Sequence, residues 1–308
     1  MEFGRVSTEE INNIDFTLPK DGEQTQVTLR SLKPVDKPDF YVGCAKWGRK
    51  EWVGLIYPPK TKEKDFLGAY VKHFNSIELN AVFYSLPKED QILKWKEMAD
   101  ANKKGDFLFC PKFSRTISHI KRLNNVDAET DLYLKAVSAF GDQLGPAFLQ
   151  LSDNFGPKNF SVLEEYLKKL PVNFNLFVEV RHPDWFKIPE VRKDLFGMLN
   201  RLGKGAAITD ASGRRDCLHM ELTTRETFIR FVGNGGKFLD SDKARVDEWI
   251  IRIKDWLDKG LEKVYFFLHQ HDEADTPLIA DYTIKQFNEK LGSKIPRVQF
   301  IESTGTMF

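Results

Sequence analysis

Charged and polar side chains recur at one kind of place in this chain, the downstream ends of its short apolar runs. SIELNAVFY carries Glu78, Asn80 and Tyr84, and FLFCPKF carries Lys112. AFLQL holds Gln150, FVEVRH holds Glu179 and Arg181, and AITD ends in Asp210. Arg230 lies in FIRFV, His269 closes VYFFLH, and Trp47 follows YVGCAK. Burying an unpaired charge costs on the order of several kcal/mol, so these groups pair, face a ligand, or do both. Glu179 and Arg181 share one face by strand alternation. Glu78 or Glu179 has the chemistry of a general base, with proton affinity set by burial and neighbouring cations. Lys112 has that of an electrophile or a Schiff-base former. Arg181 and Arg230 offer the planar fork that grips a carboxylate or a phosphate. Trp47 and Tyr84 supply faces for stacking. Asn80, His119, Gln150 and His269 supply polar contacts to a substrate. The plainer alternative makes the charges an internal network that only fixes packing.

A divalent metal is the second chemistry. Glu179, Asp210 and His269 are nitrogen and oxygen donors on strand ends, as metal-assisted phosphoester hydrolysis requires. His269-Gln270-His271 is the one HxH pair among 6 histidines, and HExxH is absent. RTISHIKRL, residues 115–123, brings Arg115, His119, Lys121 and Arg122 after the third run, as a solvated loop or an anion-facing one.

The elements that must carry these residues follow from periodicity. Apolar, β-rich runs occur at residues 40–47, 76–84, 107–113, 147–151, 176–181, 206–210, 227–232 and 264–269. Stretches with helical spacing lie at 88–102, 128–141, 162–170, 191–202, 246–257 and 278–291. Gly105, Gly141 and Gly203 stand where helices should stop. FLFC and LFVEV are apolar almost throughout, as suits strands covered on both faces. Eight strands alternating with helices predict an α/β fold, a TIM-type (β/α)8 barrel of parallel strands over residues 39–308. PRVQFIESTGTMF would be its final strand or surface tail. An open doubly wound sheet is disfavoured, because GCAKWGRKEW after the first run lacks GxGxxG spacing. The sixth unit is irregular, since ASGRRDCLHMELTTRE has no helical period. Residues 1–38 read as a polar extension without a barrel unit, so their deletion is expected to leave a folded domain.

Composition narrows the function classes. Lys+Arg 46 against Asp+Glu 45 leaves a formal charge of +1, which gives no support for non-specific nucleic-acid binding and leaves only a local groove open. Cys44, Cys110 and Cys217 are far apart and read as buried thiols. No run approaches the ~20 apolar residues of a membrane span. MEFGRVSTEEINNIDF lacks the basic start and apolar centre of a signal peptide, so the expectation is cytoplasmic.

GCAKWGRKEWVGLIYP, HFNSIELNAVFYSLP, FLFCPKFSRTISH, LGPAFLQLSDNFGP, VEVRHPDWF, AITDAS and FIRFVGN, in this order, resemble the YecE-like family, domain of unknown function 72. The resemblance runs from about Tyr41 to beyond His269 and implies a TIM-type barrel. It implies shared polar positions at Glu78, Asn80, Lys112, His119, Gln150, Glu179, Arg181, His182, Asp210 and Arg230, and brings no reaction with it. Two stretches depart from the family pattern. QLSDNF places Ser152 and Asp153 where many relatives carry two prolines, and FLHQHD stands where many carry an Asn-Asn pair. The functional expectation is an enzyme acting on a small anionic metabolite, phosphorylated or carboxylated, at the carboxyl ends of the strands. The alternatives are a metal-dependent phosphoester hydrolase and a non-catalytic protein that binds a ligand or nucleic acid.

Overall fold

In a computed structural model, which describes residues 4–301, the eight apolar runs become eight strands. They are β1 (Asp39–Cys44), β2 (Ser76–Leu79), β3 (Leu108–Pro111), β4 (Ala147–Gln150), β5 (Leu176–Glu179), β6 (Gly205–Asp210), β7 (Glu226–Gly233) and β8 (Lys263–Gln270). The paired strands are all parallel, in the order β3-β2-β1-β8-β7-β6-β5-β4. The seam between β3 and β4 is bridged by Phe113 N–H donating to Phe148 O (2.9 Å) and Gly145 N–H to Phe109 O (2.8 Å). A nearly closed TIM-type barrel results.

Among the described residues, eight α-helices of five or more residues surround it. They are α1 (Glu23–Arg30), α2 (Phe66–Tyr70), α3 (Glu89–Asn102), α4 (Asp127–Ser138), α5 (Phe160–Lys169), α6 (Pro189–Arg201), α7 (Leu239–Asp258) and α8 (Thr276–Leu291). The second run is not one strand over 76–84. It stops at Leu79, because Asn80 turns to a helical backbone conformation and its amide bends back onto the Glu78 carboxylate at 2.9 Å. A helical turn at Ala81–Tyr84 follows, which lifts Tyr84 to 77% exposure.

Alternation sends every second strand residue inward. Cys110, Phe148, Phe177, Ala207, Phe228, Tyr265 and Phe267 form one buried cluster inside the barrel. Its rings interlock, with Phe228 at 4.7 Å from Phe267 and 5.3 Å from both Phe148 and Phe177. Gly205 makes this possible, since a Cβ there would lie 2.2 Å from the Phe177 ring. One inward step further along the strands, the side chains are polar and charged.

The sixth unit has no helix of its own; only a short turn, Arg215–Cys217, lies between β6 and β7. The extension fills that place. Thr25 and Thr28 on α1 donate to Met220 O (2.7 Å) and Leu222 O (2.8 Å), and Leu222 N–H returns a bond to Thr25 Oγ1 (2.6 Å). Gln24 N–H at the start of α1 donates to Glu221 (3.0 Å). Gly22 lets the Glu221 carboxylate lie against the chain, since a Cβ there would stand 1.9 Å from its carboxyl carbon and displace it. Asp21 meets Arg252 (2.7 Å) and Trp256 (3.2 Å) of α7, while α1 packs on α6. Residues 21–29 are therefore part of the wall, and their packing speaks against the expectation that the extension is dispensable. At the other end, residues 296–301 run without regular structure; Ile301 N–H reaches Leu55 O (2.9 Å). The rest of the tail, 302–308, lies outside the described residues.

Candidate active site at the carboxyl ends of the strands

Directly above the aromatic layer, Glu78 of β2, Gln150 of β4, Glu179 of β5, Arg230 of β7 and His269 of β8 point inward, joined by Lys112 just past β3. Arg230 is the hub. Its Nε and Nη2 grip Glu78 through both carboxylate oxygens (2.8 and 2.9 Å), and Nη1 donates to Glu179 (2.6 Å). His269 Nε2 adds a 3.0 Å contact to Glu78. Arg181 Nε donates to Glu179 at 2.5 Å, and Gln150 Nε2 to the same oxygen at 3.1 Å. The other end of the Gln150 amide accepts from Lys112 Nζ at 2.7 Å. Lys112 also sits over the Phe83 ring at 4.2 Å and the Phe148 ring at 5.6 Å.

The network has a buried floor and a more open rim. Glu78 and Arg230 are 0% exposed, Lys112 is 8%, and the Arg181 side chain 11%. Burial alone would raise the Glu78 and Glu179 carboxyls. Arg230 with His269 at Glu78, and Arg181 with Arg230 at Glu179, outweigh it. Glu78 is held well below the usual carboxylate range and Glu179 at about 2. Lys112 moves the other way. Burial, reinforced by Arg230, pushes its ammonium down to about 7.

At the rim, His119 lies on a single π-helical turn, Thr116–Ile120, with Nδ1 2.9 Å from Ser118 Oγ and its ring edge-on to Phe83 at 5.0 Å. Burial, then Lys112 and Arg181, lower it to about 4, so it is neutral at neutral pH. Tyr84 stands exposed beside Phe83, ring centroids 4.9 Å apart. Trp47 is spent on packing edge-on against Trp95 of α3 (5.4 Å). His182 caps the next turn, accepting from Asp184 N–H at 3.2 Å.

Asp210 does not join the group. Its neighbour Thr209 faces inward, and Asp210 turns to the helical layer, where Trp249 (2.9 Å), Arg245 (2.8 Å) and Arg215 hold it. With Asp210 outside, Glu179 held by two arginines and His269 tied to Glu78, the proposed metal triad is not assembled. Among the described residues no group of three or more His, Cys, Asp or Glu is placed to hold a metal ion. The sequence reading also missed the rings beneath Lys112. Phe148 was legible, being two residues before Gln150 on the same face; Phe83 was hidden by treating 76–84 as a strand.

The depressed ammonium has a consequence for stability. Below pH 7 the folded protein holds a buried charge at Lys112 that the unfolded chain leaves in water, so the full cost is present there. Between about 7 and the free lysine value of ~10.4, only the unfolded state keeps that proton and the cost diminishes. Lys112→Met is expected to melt above the wild type at pH 6, with an advantage that shrinks by pH 9. Calorimetric melts across that range check it; a gap that widens with pH would contradict the buried ammonium.

The comparisons agree with the barrel fold. Residues 41–299 match the family described as protein of unknown function DUF72. The UPF0759 protein YecE of Escherichia coli (strain K12) is 30% identical over 287 residues, covering 87% of this chain and 100% of its own length. The UPF0759 protein YunF of Bacillus subtilis (strain 168) is 39% identical over 56 residues, 18% of this chain and 19% of its own. Among solved structures, a DUF72 family protein from Thermotoga maritima MSB8 superposes with a TM-score of 0.62 at 18% identity, over 82% of this chain and 100% of that one. One from Enterococcus faecalis V583 gives 0.61 at 16%, over 82% and 99%. A barrel of this kind, with a match across nearly all of its strands and helices, places the chain in the YecE-like DUF72 family.

Proposed function

We propose that this chain is an enzyme acting on a small anionic metabolite at the rim of the charged network, above Gln150 and between Lys112 and Arg181. The observation that carries it is a charge imbalance. Among the described residues, two carboxylates, Glu78 and Glu179, meet three cationic side chains, Arg181, Arg230 and protonated Lys112. Counted over those described groups the balance is positive by one, in a site walled by aromatic rings, where a charge is worth more than in water. A carboxylate or phosphate at the rim would neutralise it.

The roles divide by exposure. Arg230, through Nε, Nη1 and Nη2, and His269, through Nε2, are held on the network carboxylates and act as positioning groups. Glu179, at about 2, is too weak a base to take a proton at neutral pH, and Glu78 is no better placed. Lys112, near 7, is the group whose proton comes and goes in the working range. Arg122, Leu123 and Asn125, in the loop after the π-helical turn that carries His119, all have positive φ. Such strain persists chiefly where function holds it. Among the described residues no helix is long and apolar enough to cross a membrane.

Titration calorimetry with inorganic phosphate at pH 8 tests the reading. Binding is expected to take up protons, read from buffers of differing ionisation enthalpy, because an anion restores the ammonium of Lys112. Arg181→Lys, which keeps the charge and loses the fork, is expected to weaken binding about tenfold while the melting temperature stays within a few degrees. Phosphate affinity unchanged in Arg181→Lys would return the arginine to a packing role. Tight binding of oligonucleotides at physiological salt without any metabolite-sized ligand would favour the non-catalytic alternative.

A further inference from the structure

Among the described residues two lysines are buried, and they are treated differently. Lys204, 2% exposed, has its ammonium ringed by three main-chain carbonyls, Pro171 (3.3 Å), Val172 (3.4 Å) and Phe174 (2.9 Å). Three acceptors for three N–H donors is what a structural ammonium needs. Among the described residues Lys112 has one hydrogen-bond acceptor, a neutral amide oxygen, and the face of Phe83 beneath it. Both nearby carboxylates are turned away onto arginines: Glu78 onto Arg230, and Glu179 onto Arg230 and Arg181. The Gln150 amide is fixed in this orientation, its nitrogen donating to Glu179 and its oxygen accepting from the lysine, so it offers Lys112 a neutral acceptor and no charge. This surrounding withholds a counter-ion from Lys112, sets two guanidinium groups close by, and keeps the amine at the edge of the rim.

We propose that Lys112 is a covalent nucleophile that condenses with the carbonyl carbon of a small anionic aldehyde or ketone. The inference rests on the anion-binding reading above and names the reactive group of that ligand. The uncharged amine attacks the carbonyl carbon as the C=O π pair moves to oxygen. The two amine protons and the carbonyl oxygen leave as water, forming a C=N bond to Nζ. Uptake of one proton from solvent gives the iminium, and hydrolysis by the reverse path releases the lysine. No oxidant or reductant enters. Lysine amines become nucleophilic near neutral pH when they are desolvated or set beside another cation, and Lys112 is both. An anion on the ligand would meet Arg181 at the rim, leaving its carbonyl over the amine.

Reductive trapping tests it on the full chain. Wild type is incubated at pH 7.5 with pyruvate or dihydroxyacetone phosphate and sodium cyanoborohydride, then read by intact mass and peptide mapping. The expected result is one adduct, at Lys112, forming roughly tenfold or more faster than on any solvent-exposed lysine, whose amine is almost wholly protonated at that pH. Preference for pyruvate identifies a 2-oxo acid, and preference for the phosphate ester a phosphorylated carbonyl. Lys112→Arg should lose the adduct. Competitive acetylation of unmodified wild type across pH should show half-maximal Lys112 labelling near pH 7, a readout that needs no variant to fold. Labelling spread over surface lysines with Lys112 spared overturns the proposal. If phosphate still binds in that case, the anion site stands and only the covalent step falls; if phosphate does not bind either, both fall.

Discussion

A chain lacking residues 1–38 is expected to accumulate as insoluble protein or to melt without a cooperative transition. Ile11, Leu18 and Leu29 are buried at 6%, 9% and 6% exposure, and each withdraws apolar surface worth roughly 1.5–3 kcal/mol. Phe16 covers the guanidinium groups of Arg245 and Arg215 at 4.7 and 5.4 Å, and Leu18 N–H donates to Glu248 at 3.0 Å. Deletion strips these contacts and leaves the Met220 and Leu222 carbonyls, the Leu222 N–H and part of the Glu221 carboxylate without their partners. The sum is comparable to the ~5–15 kcal/mol that holds a typical domain folded. Thr25→Val gives a graded version. It keeps the volume and removes the hydroxyl that bridges Met220 O and Leu222 N–H, for an expected loss of ~1–3 kcal/mol in denaturant titration. A truncated domain that melts cooperatively within a few degrees of the full chain would show that α1 only decorates the wall.

The second large effect belongs to Arg230. Arg230→Met is expected to destabilise the fold by ~3–5 kcal/mol at pH 7, because two buried carboxylates lose the cation they share. The pH dependence has a definite sign. In the wild type both glutamates titrate below their unfolded value of ~4.3, so their stabilisation is present above that pH and fades as the pH falls towards 2. Without Arg230 their proton affinity rises, and the variant takes up protons that relieve it. The gap between the two proteins is therefore widest at neutral pH and narrows as the pH falls towards 4 and below. Urea unfolding at pH 7 and pH 4 reads both points. A loss under ~1 kcal/mol at pH 7, or a gap that grows in acid, would show that the carboxylates find other partners. Adding Glu78→Gln to Arg230→Met should recover part of the loss, since one of the stranded charges is gone.

The barrel and the network were readable for the same reason. Strands covered on both faces are apolar throughout, so an ionisable residue inside one has nowhere to go but inward or to a partner. Glu78, Lys112, Glu179 and Arg230 stood out against FLFC, LFVEV and FIRFV on that ground. Asp210 stood out equally and lies elsewhere. AITD is apolar on both sides, so nothing local sets which residue faces in. The phase becomes legible only through pairing, where Thr209 lies opposite Arg230 in the neighbouring strand. The helix α1 was invisible for a different reason. Its buried face is Thr25, Thr28 and Leu29, two hydroxyls and one apolar side chain, and hydrophobic periodicity cannot see threonines that bury by donating to carbonyls. The missing helix of the sixth unit was the available hint, since a barrel wall leaves no slot empty without exposing its core.

That borrowed helix changes how the barrel must close in time. The tertiary hydrogen-bond partners of residues 21–28 lie 194 to 235 positions downstream, so α1 leaves the ribosome long before its groove exists. Its groove is complete only once α6, the β6–β7 connection and α7 have formed. The wall between α6 and α7 then closes as an intramolecular binding step, with α1 as a ligand tethered by the short connection to β1. A tether of that kind supplies an effective concentration of order millimolar. Supplied as a separate peptide at micromolar concentration, the same segment would forfeit about a thousandfold in occupancy, though every contact it makes were unchanged.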